Sequence, residues 1–260
     1  MDKVESVINS FLEPYMADND IQAAILTGSY AQENQNKYSD IDIFIVSSDK
    51  LNWREQGYKI ISNYVIDYFI NPPKIILKEI EEYKFMATVL IISNGKIIFD
   101  KTGIIERLKE KAYEIIRRPI EPISNFEIEM IKYDTNYNYE QLTRAYEYDK
   151  NEFLFLYYAY LENIIYSFGK CNGITLPRRT KIYQYIFDEG YYLHKDLNKI
   201  RDNNFIEILK RCMKNNKSEI MYRNIAELKD YLLNFVGGFN KDGWKIRGEI
   251  NWNIRRKNGK

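Results

Sequence analysis

Residues 26–46 read LTGSYAQENQNKYSDIDIFIV, and they place two aspartates, Asp40 and Asp42, at the head of an apolar run through Ile41, Ile43, Phe44, Ile45 and Val46. Strand side chains alternate between faces, so Asp40 and Asp42 share one face and Ile41, Ile43 and Ile45 the other. Two carboxylates this close repel, and each raises the other's pKa unless positive charge stands between them. A divalent cation resolves the conflict. Mg²⁺ takes hard oxygen ligands at about 2.0–2.1 Å, usually one or two carboxylates with the rest from water and substrate phosphates. Upstream, Gly28-Ser29 follows the apolar run Ala23 to Leu26. Glycine permits a tight turn and close approach of a phosphate, and the Ser29 hydroxyl with nearby amides can donate to its oxygens.

Outward from this stretch the pattern mixes strands and helices. Ile21 to Thr27 and Ile41 to Val46 have strand length, and Tyr64 to Ile70 (YVIDYFI) is a third strand stopped by Asn71-Pro72-Pro73. The two prolines suit the first turn of a helix running to about residue 84. Asn94-Gly95 is a turn signal before a short strand, Lys96 to Phe99. Val4, Val7, Ile8, Phe11 and Leu12 predict an opening amphipathic helix, and residues 104–117 return to helical spacing. Asp67 interrupts the third strand. A buried carboxylate needs a partner, and a strand lying beside the first two would bring Asp67 to the same cluster, as a further ligand or as a base.

Pro119 and Pro122 in RRPIEPISN end this pattern and set the expected boundary. Beyond it, Glu127 to Tyr148, Glu152 to Phe168, Thr180 to Phe187 and Glu219 to Phe235 carry apolar residues at helical spacing, and no strand-rich segment is present. The expected fold is α/β (α+β): a domain over residues 1–120 with a short mixed sheet flanked by helices, then an α-helical bundle domain over 121–260.

Composition narrows the function classes. With 45% hydrophobic and 29% charged residues the chain reads as an ordinary soluble globular protein. A net charge of +1 gives no global attraction to nucleic acid or anionic membrane. Cys171 and Cys212 have no CxxC spacing, and one histidine excludes a histidine-rich zinc site. The apolar run Ala87 to Ile92 is too short to span a bilayer, and the first residues lack the apolar core of a signal peptide. A cytoplasmic location follows as the expectation.

Leu26-Thr27-Gly28-Ser29, ten residues, Asp40-Ile41-Asp42, and a third acid on a later strand resemble the active-site signature of the DNA polymerase β type nucleotidyltransferase superfamily. Chain length and the helical second half are most similar to antibiotic nucleotidyltransferases of the aminoglycoside and lincosamide kind. The resemblance implies transfer of a nucleoside monophosphate from a nucleoside triphosphate, with ATP as the expected donor and Mg²⁺ as cofactor, to a hydroxyl of a small-molecule acceptor. It implies that Gly28 and Ser29, with Ser39, bind the nucleotide. It also implies that Asp40 and Asp42 hold the metal, with Asp67 as a third metal ligand or general base. The partner expectations are a nucleotide and a small-molecule acceptor, no membrane and no nucleic acid, with a homodimer admitted. Two alternatives stay open: a toxin–antitoxin or defence nucleotidyltransferase acting on protein or RNA, and a non-catalytic nucleotide-binding module.

Small members of the superfamily often carry Arg-Gly shortly after Gly-Ser, where this chain has Gln32-Glu33. A cation for the triphosphate is therefore sought elsewhere. Arg178, Arg179 and Lys181 in TLPRRTK form the densest basic cluster of the second half, and Lys181 is assigned to the nucleotide. Glu162 is a candidate base weighed against an ordinary surface glutamate. Tyr137 and Tyr158 are weighed as acceptor-lining against packing residues. His194 and the basic tail Arg255-Arg256-Lys257 are assigned no role.

Overall fold

The computed structural model describes residues 3–82, 86–118, 121–188 and 199–248. They divide into two compact units, one reaching residue 118 and the other beginning at 121.

The first unit is built on a five-stranded mixed sheet. Its strands are β1 (Ile21–Thr27), β2 (Ile41–Ser47), β3 (Glu55–Ile61), β4 (Tyr64–Asn71) and β5 (Lys96–Asp100), in the order β3-β4-β2-β1-β5. Only β2 and β4 run parallel among these neighbours. The helices are α1 (Lys3–Ala17), the single-turn α2 (Gly28–Ala31), α3 (Pro73–Glu81), α4 (Met86–Asn94) and α5 (Ile104–Ile116).

Strand alternation sorts the core into two layers. Ile41, Ile43 and Ile45 of β2, with Ile66 and Ile70 of β4, pack on Val7, Ile8, Phe11 and Leu12 of α1. Phe44 and Val46 point the other way, with Ala23 and Ile25 of β1, onto Ile76, Ile80, Val89, Ile92, Ile105 and Leu108 of α3, α4 and α5. The sheet is thus covered on both faces, which fixes its register because a one-residue slip would exchange the two layers.

β3 and α4 depart from the sequence reading. The residues of β3, EQGYKII, are half-exposed or exposed along their length. The strand sits at the sheet edge without the apolar alternation that marks a buried one. It joins β4 through Ser62 and Asn63, with φ of 50° and 68°, a tight turn whose twist matches that of the flanking strands. The apolar run 87–92 is the core helix α4, with Val89 and Ile92 fully buried.

The second unit contains α6 (Asn125–Tyr148), α7 (Lys150–Cys171), α8 (Arg179–Phe187), α9 (Asn203–Lys214) and α10 (Ser218–Phe235). Helix α6 opens with a capping box in which the Ser124 side chain and Glu127 satisfy each other's backbone N–H groups. Asp149 then caps α7, accepting from the amides of Asn151 and Glu152. Helix α9, not singled out in the sequence, buries Phe205, Ile208, Leu209 and Cys212 at three and four spacing. These join Leu142, Tyr157, Leu161, Ile164, Phe168, Ile225 and Leu228 in one core. Among the described residues no helix is long and apolar enough to cross a membrane.

Candidate active site

The register of the sheet brings two of the aspartates together, with Asp40 at the entry to β2. Thr27 of β1 pairs with Asp42 of β2, Asp42 with Asp67 of β4, and Asp67 with Tyr58 of β3. Adjacent strands lie about 4.8 Å apart. Asp42 and Asp67 share the face that continues as Phe44, Val46 and Phe69 over α3, α4 and α5. Below the carboxylates that face is sealed by apolar packing, and both acids stand at its open end. Asp40 precedes β2 by one residue and is exposed.

The backbone turns sharply where β1 ends. Gly28 has φ of +65°, a conformation that L side chains rarely adopt. A Cβ there would lie 2.8 Å from Cγ of Asp42 and closer still to its Oδ2. The Asp42 carboxylate thus occupies the space that a side chain at position 28 would need. Half-buried Ser29 follows in α2, its backbone carbonyl accepting from the Asn34 amide at 3.1 Å.

The electrostatics at Asp67 are those of an acid awaiting a partner. Oδ1 of Asp67 is buried with no hydrogen-bond partner. Burial pushes its pKa above the ordinary carboxylate value, the charge of Asp40 adds to the rise, and a hydrogen bond from the Gln56 side chain opposes it. Among the described residues no three His, Cys, Asp or Glu side chains form a ready metal cage. Three like charges have no reason to converge without the ion that binds them. The donor set nonetheless fits a hard cation that takes one or two carboxylates and completes its shell from water and phosphate, with the orphaned Oδ1 as the unspent acceptor.

Ser39, expected at the nucleotide, closes a turn just before β2. Its hydroxyl accepts from the Asn36 amide at 2.9 Å while its own amide donates to the Asn36 carbonyl at 3.0 Å. This turn delivers the chain to Asp40. Its lone hydroxyl proton is what Ser39 retains for another acceptor.

A cation beside the Gly-Ser turn escaped the sequence reading. Lys96 begins β5, stands in register with Leu26, and its Nζ lies 2.6 Å from Oε1 of Glu33. Hydrogen bonding and charge from Lys96 hold the Glu33 carboxyl below the usual range. The acid of Gln32-Glu33, the pair that stands in place of Arg-Gly, is thus already paired with a cation. The only sequence signal was a lysine at the head of a predicted strand, which gained meaning once β5 paired with β1.

Lys181 is exposed on α8 in the second unit. Arg179 donates from Nε to Glu162 at 2.6 Å, so Glu162 is committed to an ion pair rather than poised as a base. Arg178 is exposed. Tyr158 is 57% exposed and lines an apolar cavity of about 460 Å³ with Phe155 and Met213, whereas Tyr137 stacks on Tyr133 at 5.9 Å. His194 and Arg255-Arg256-Lys257 lie outside the described residues.

Residues 8–103 match the family described as "Polymerase beta, Nucleotidyltransferase", a span holding the sheet, Gly28-Ser29 and all three aspartates. A Methanocaldococcus jannaschii protein named "Putative protein adenylyltransferase MJ1305" is 26% identical over 132 residues, covering 46% of this chain and 89% of its own length. A nucleotidyltransferase-like protein from Exiguobacterium sibiricum superimposes with a TM-score of 0.45 at 8% identity, over 90% of this chain and 77% of its own. Similarity to antibiotic nucleotidyltransferases in particular does not emerge from these matches. The span that carries the aspartate row thus matches a nucleotidyltransferase domain of the polymerase β type, and these matches support a nucleotidyltransferase.

Proposed function

We propose that the chain transfers AMP from ATP to an acceptor hydroxyl and releases pyrophosphate. The observation that carries this reading is the pairing of Asp42 with Asp67 beside Gly28-Ser29, with Asp40 close enough to raise the pKa of Asp67. The Ser29 hydroxyl donates to a phosphate oxygen. Lys96 turns from Glu33 to the triphosphate, a small rearrangement because exposed ion pairs contribute little. Asp40 and Asp42 hold Mg²⁺, which when bound neutralises phosphate charge and stabilises the in-line displacement. The uncommitted Oδ1 of Asp67 takes the proton of the acceptor hydroxyl as the new oxygen–phosphorus bond forms. The bond from the α-phosphorus to the bridging oxygen breaks, and pyrophosphate departs.

For the acceptor, the first reading is a small hydroxylated molecule of the aminoglycoside or lincosamide kind, and a cavity of about 460 Å³ in the helical unit has the size of a small-molecule site. The name of the archaeal relative supports a second reading, a hydroxyl on a protein. Incubation with ATP labelled at the α-phosphate, Mg²⁺, and either an aminoglycoside and lincosamide panel or a cell extract separates them. Label on a small molecule upholds the first reading, and label on protein the second. Pyrophosphate release no greater than that of Asp42→Asn in every arm removes both.

A further inference from the structure

The row of paired residues across the sheet does not stop at the aspartates. Thr27 of β1, Asp42 of β2 and Asp67 of β4 are followed by Tyr58 of β3, the Cα partner of Asp67 on the edge strand. Directly opposed residues of an antiparallel pair project from one face. Tyr58 therefore stands on the face of the two carboxylates, one strand spacing of about 4.8 Å beyond Asp67. Gln56 agrees with this placement, since it lies two residues along β3 and its side chain hydrogen-bonds to Asp67.

The two faces of β3 are made differently. Toward α1, Glu55 accepts from the Tyr68 hydroxyl at 2.8 Å, and Gly57 leaves room for that ring, because a Cβ there would lie 2.6 Å from its oxygen. Packing accounts for that face. On the face of the aspartates, Tyr58 and Ile60 are 65% and 70% exposed and belong to neither layer of the core. Tyr58 makes no hydrogen bond or ring contact with any other described residue. An exposed sheet edge is ordinarily blunted by charge or proline. Two large apolar side chains in line there, the first directly beside Asp67, mark a surface that meets something from outside.

The direction of the reaction says what meets it. In-line displacement puts the attacking and leaving oxygens on opposite sides of the phosphorus. With the triphosphate at Gly28-Ser29 as proposed above, pyrophosphate leaves on the β1 side of Asp42, and the acceptor oxygen enters from the side of β4 and β3. An acceptor whose hydroxyl reaches Asp67 from there has its body over Tyr58 and Ile60. Gln56, Tyr58 and Ile60 give this face of β3 no formal charge, so the part of the acceptor it receives is uncharged and apolar.

We propose that Tyr58 and Ile60 bind the acceptor, seating the flat apolar face of a ring so that its hydroxyl meets Asp67. The inference rests on the transfer reading and adds to it the side from which the acceptor enters and the chemistry it presents.

The test follows label from ATP labelled at the α-phosphate, with Mg²⁺ and the full chain, into increasing amounts of a cell extract as the acceptor source. Tyr58→Ala is expected to need about tenfold more extract for half-maximal labelling, the scale of one aromatic contact. Its rate at excess extract and its affinity for a non-hydrolysable ATP analogue should match the wild type. Tyr58→Phe keeps the ring and should keep the wild-type response. Lys59→Ala, on the α1 face of the same strand, should change nothing and controls for damage to the edge. As a defined probe, 2-phenylethanol should suppress labelling by the wild type at lower concentration than 1-propanol, and that advantage should vanish in Tyr58→Ala. Wild-type extract dependence in Tyr58→Ala, an equal loss in Tyr58→Phe, a matching loss of ATP-analogue affinity, or equal suppression of the wild type by the two alcohols would overturn the proposal while leaving transfer standing. Absence of labelling by the wild type would remove the transfer reading and this proposal with it.

Discussion

Asp42 and Asp67 face each other across adjacent parallel strands, Cα partner to Cα partner, and the Oδ1 of Asp67 finds no donor in its buried position. The arrangement costs stability at neutral pH. Asp67 has a folded-state pKa above its unfolded value, so its contribution is favourable only while it is protonated and is lost as pH rises through the raised value. Removing the charge should therefore stabilise the metal-free protein. Asp67→Asn is expected to raise Tm at pH 7, by an amount corresponding to about 1 kcal/mol or less after solvent screening, with the gain shrinking as pH falls through the carboxylate range. Thermal denaturation from pH 3 to 8 with chelator present measures it. A gain that grows toward acid would contradict the burial argument.

Gly28→Ala should fail for two reasons that act together. The left-handed backbone costs about 1–2 kcal/mol for a residue with a Cβ, and the added methyl must displace the Asp42 carboxylate. Turnover is expected to fall at least tenfold with only a modest loss of Tm. Retention of full activity would show that the close fit of these two residues has no bearing on catalysis.

The Glu33–Lys96 pair gives opposite effects at its two ends. Glu33→Gln frees Lys96 and is expected to tighten ATP binding a few-fold, whereas Lys96→Met weakens it, and both effects should shrink as ionic strength rises. Equilibrium binding of a non-hydrolysable ATP analogue reads both. Equal affinities in the two variants would remove Lys96 from the triphosphate site.

Much of this site was legible because its residues break local rules. Asp67 stood out as a carboxylate inside YVIDYFI, and Asp40 and Asp42 as paired charges at the head of an apolar strand. The parts that escaped notice depend on distant pairing or on having no contrast with their surroundings. Lys96 and Glu33 lie 63 residues apart and meet only because β5 pairs with β1. Strand β3 is an exposed edge whose side chains follow no apolar alternation. The turn that Ser39 closes with Asn36 before the strand begins is a local bond that spacing does not show.

Cation dependence separates the roles of the acids from the integrity of the fold. With a non-hydrolysable ATP analogue present, added Mg²⁺ is expected to raise the Tm of the wild type, because a ligand bound only by the folded state stabilises it. Asp40→Asn should lose most of that rise while its own Tm without Mg²⁺ stays near the wild-type value. An undiminished rise would place the cation elsewhere.

The most direct measurement is pyrophosphate release from ATP and Mg²⁺ with an acceptor source, comparing wild type with Asp42→Asn under conditions where both are folded by circular dichroism. The account predicts release by the wild type that falls by at least a hundredfold in Asp42→Asn and stops when the divalent cation is chelated. Release by the variant at the wild-type rate would contradict it.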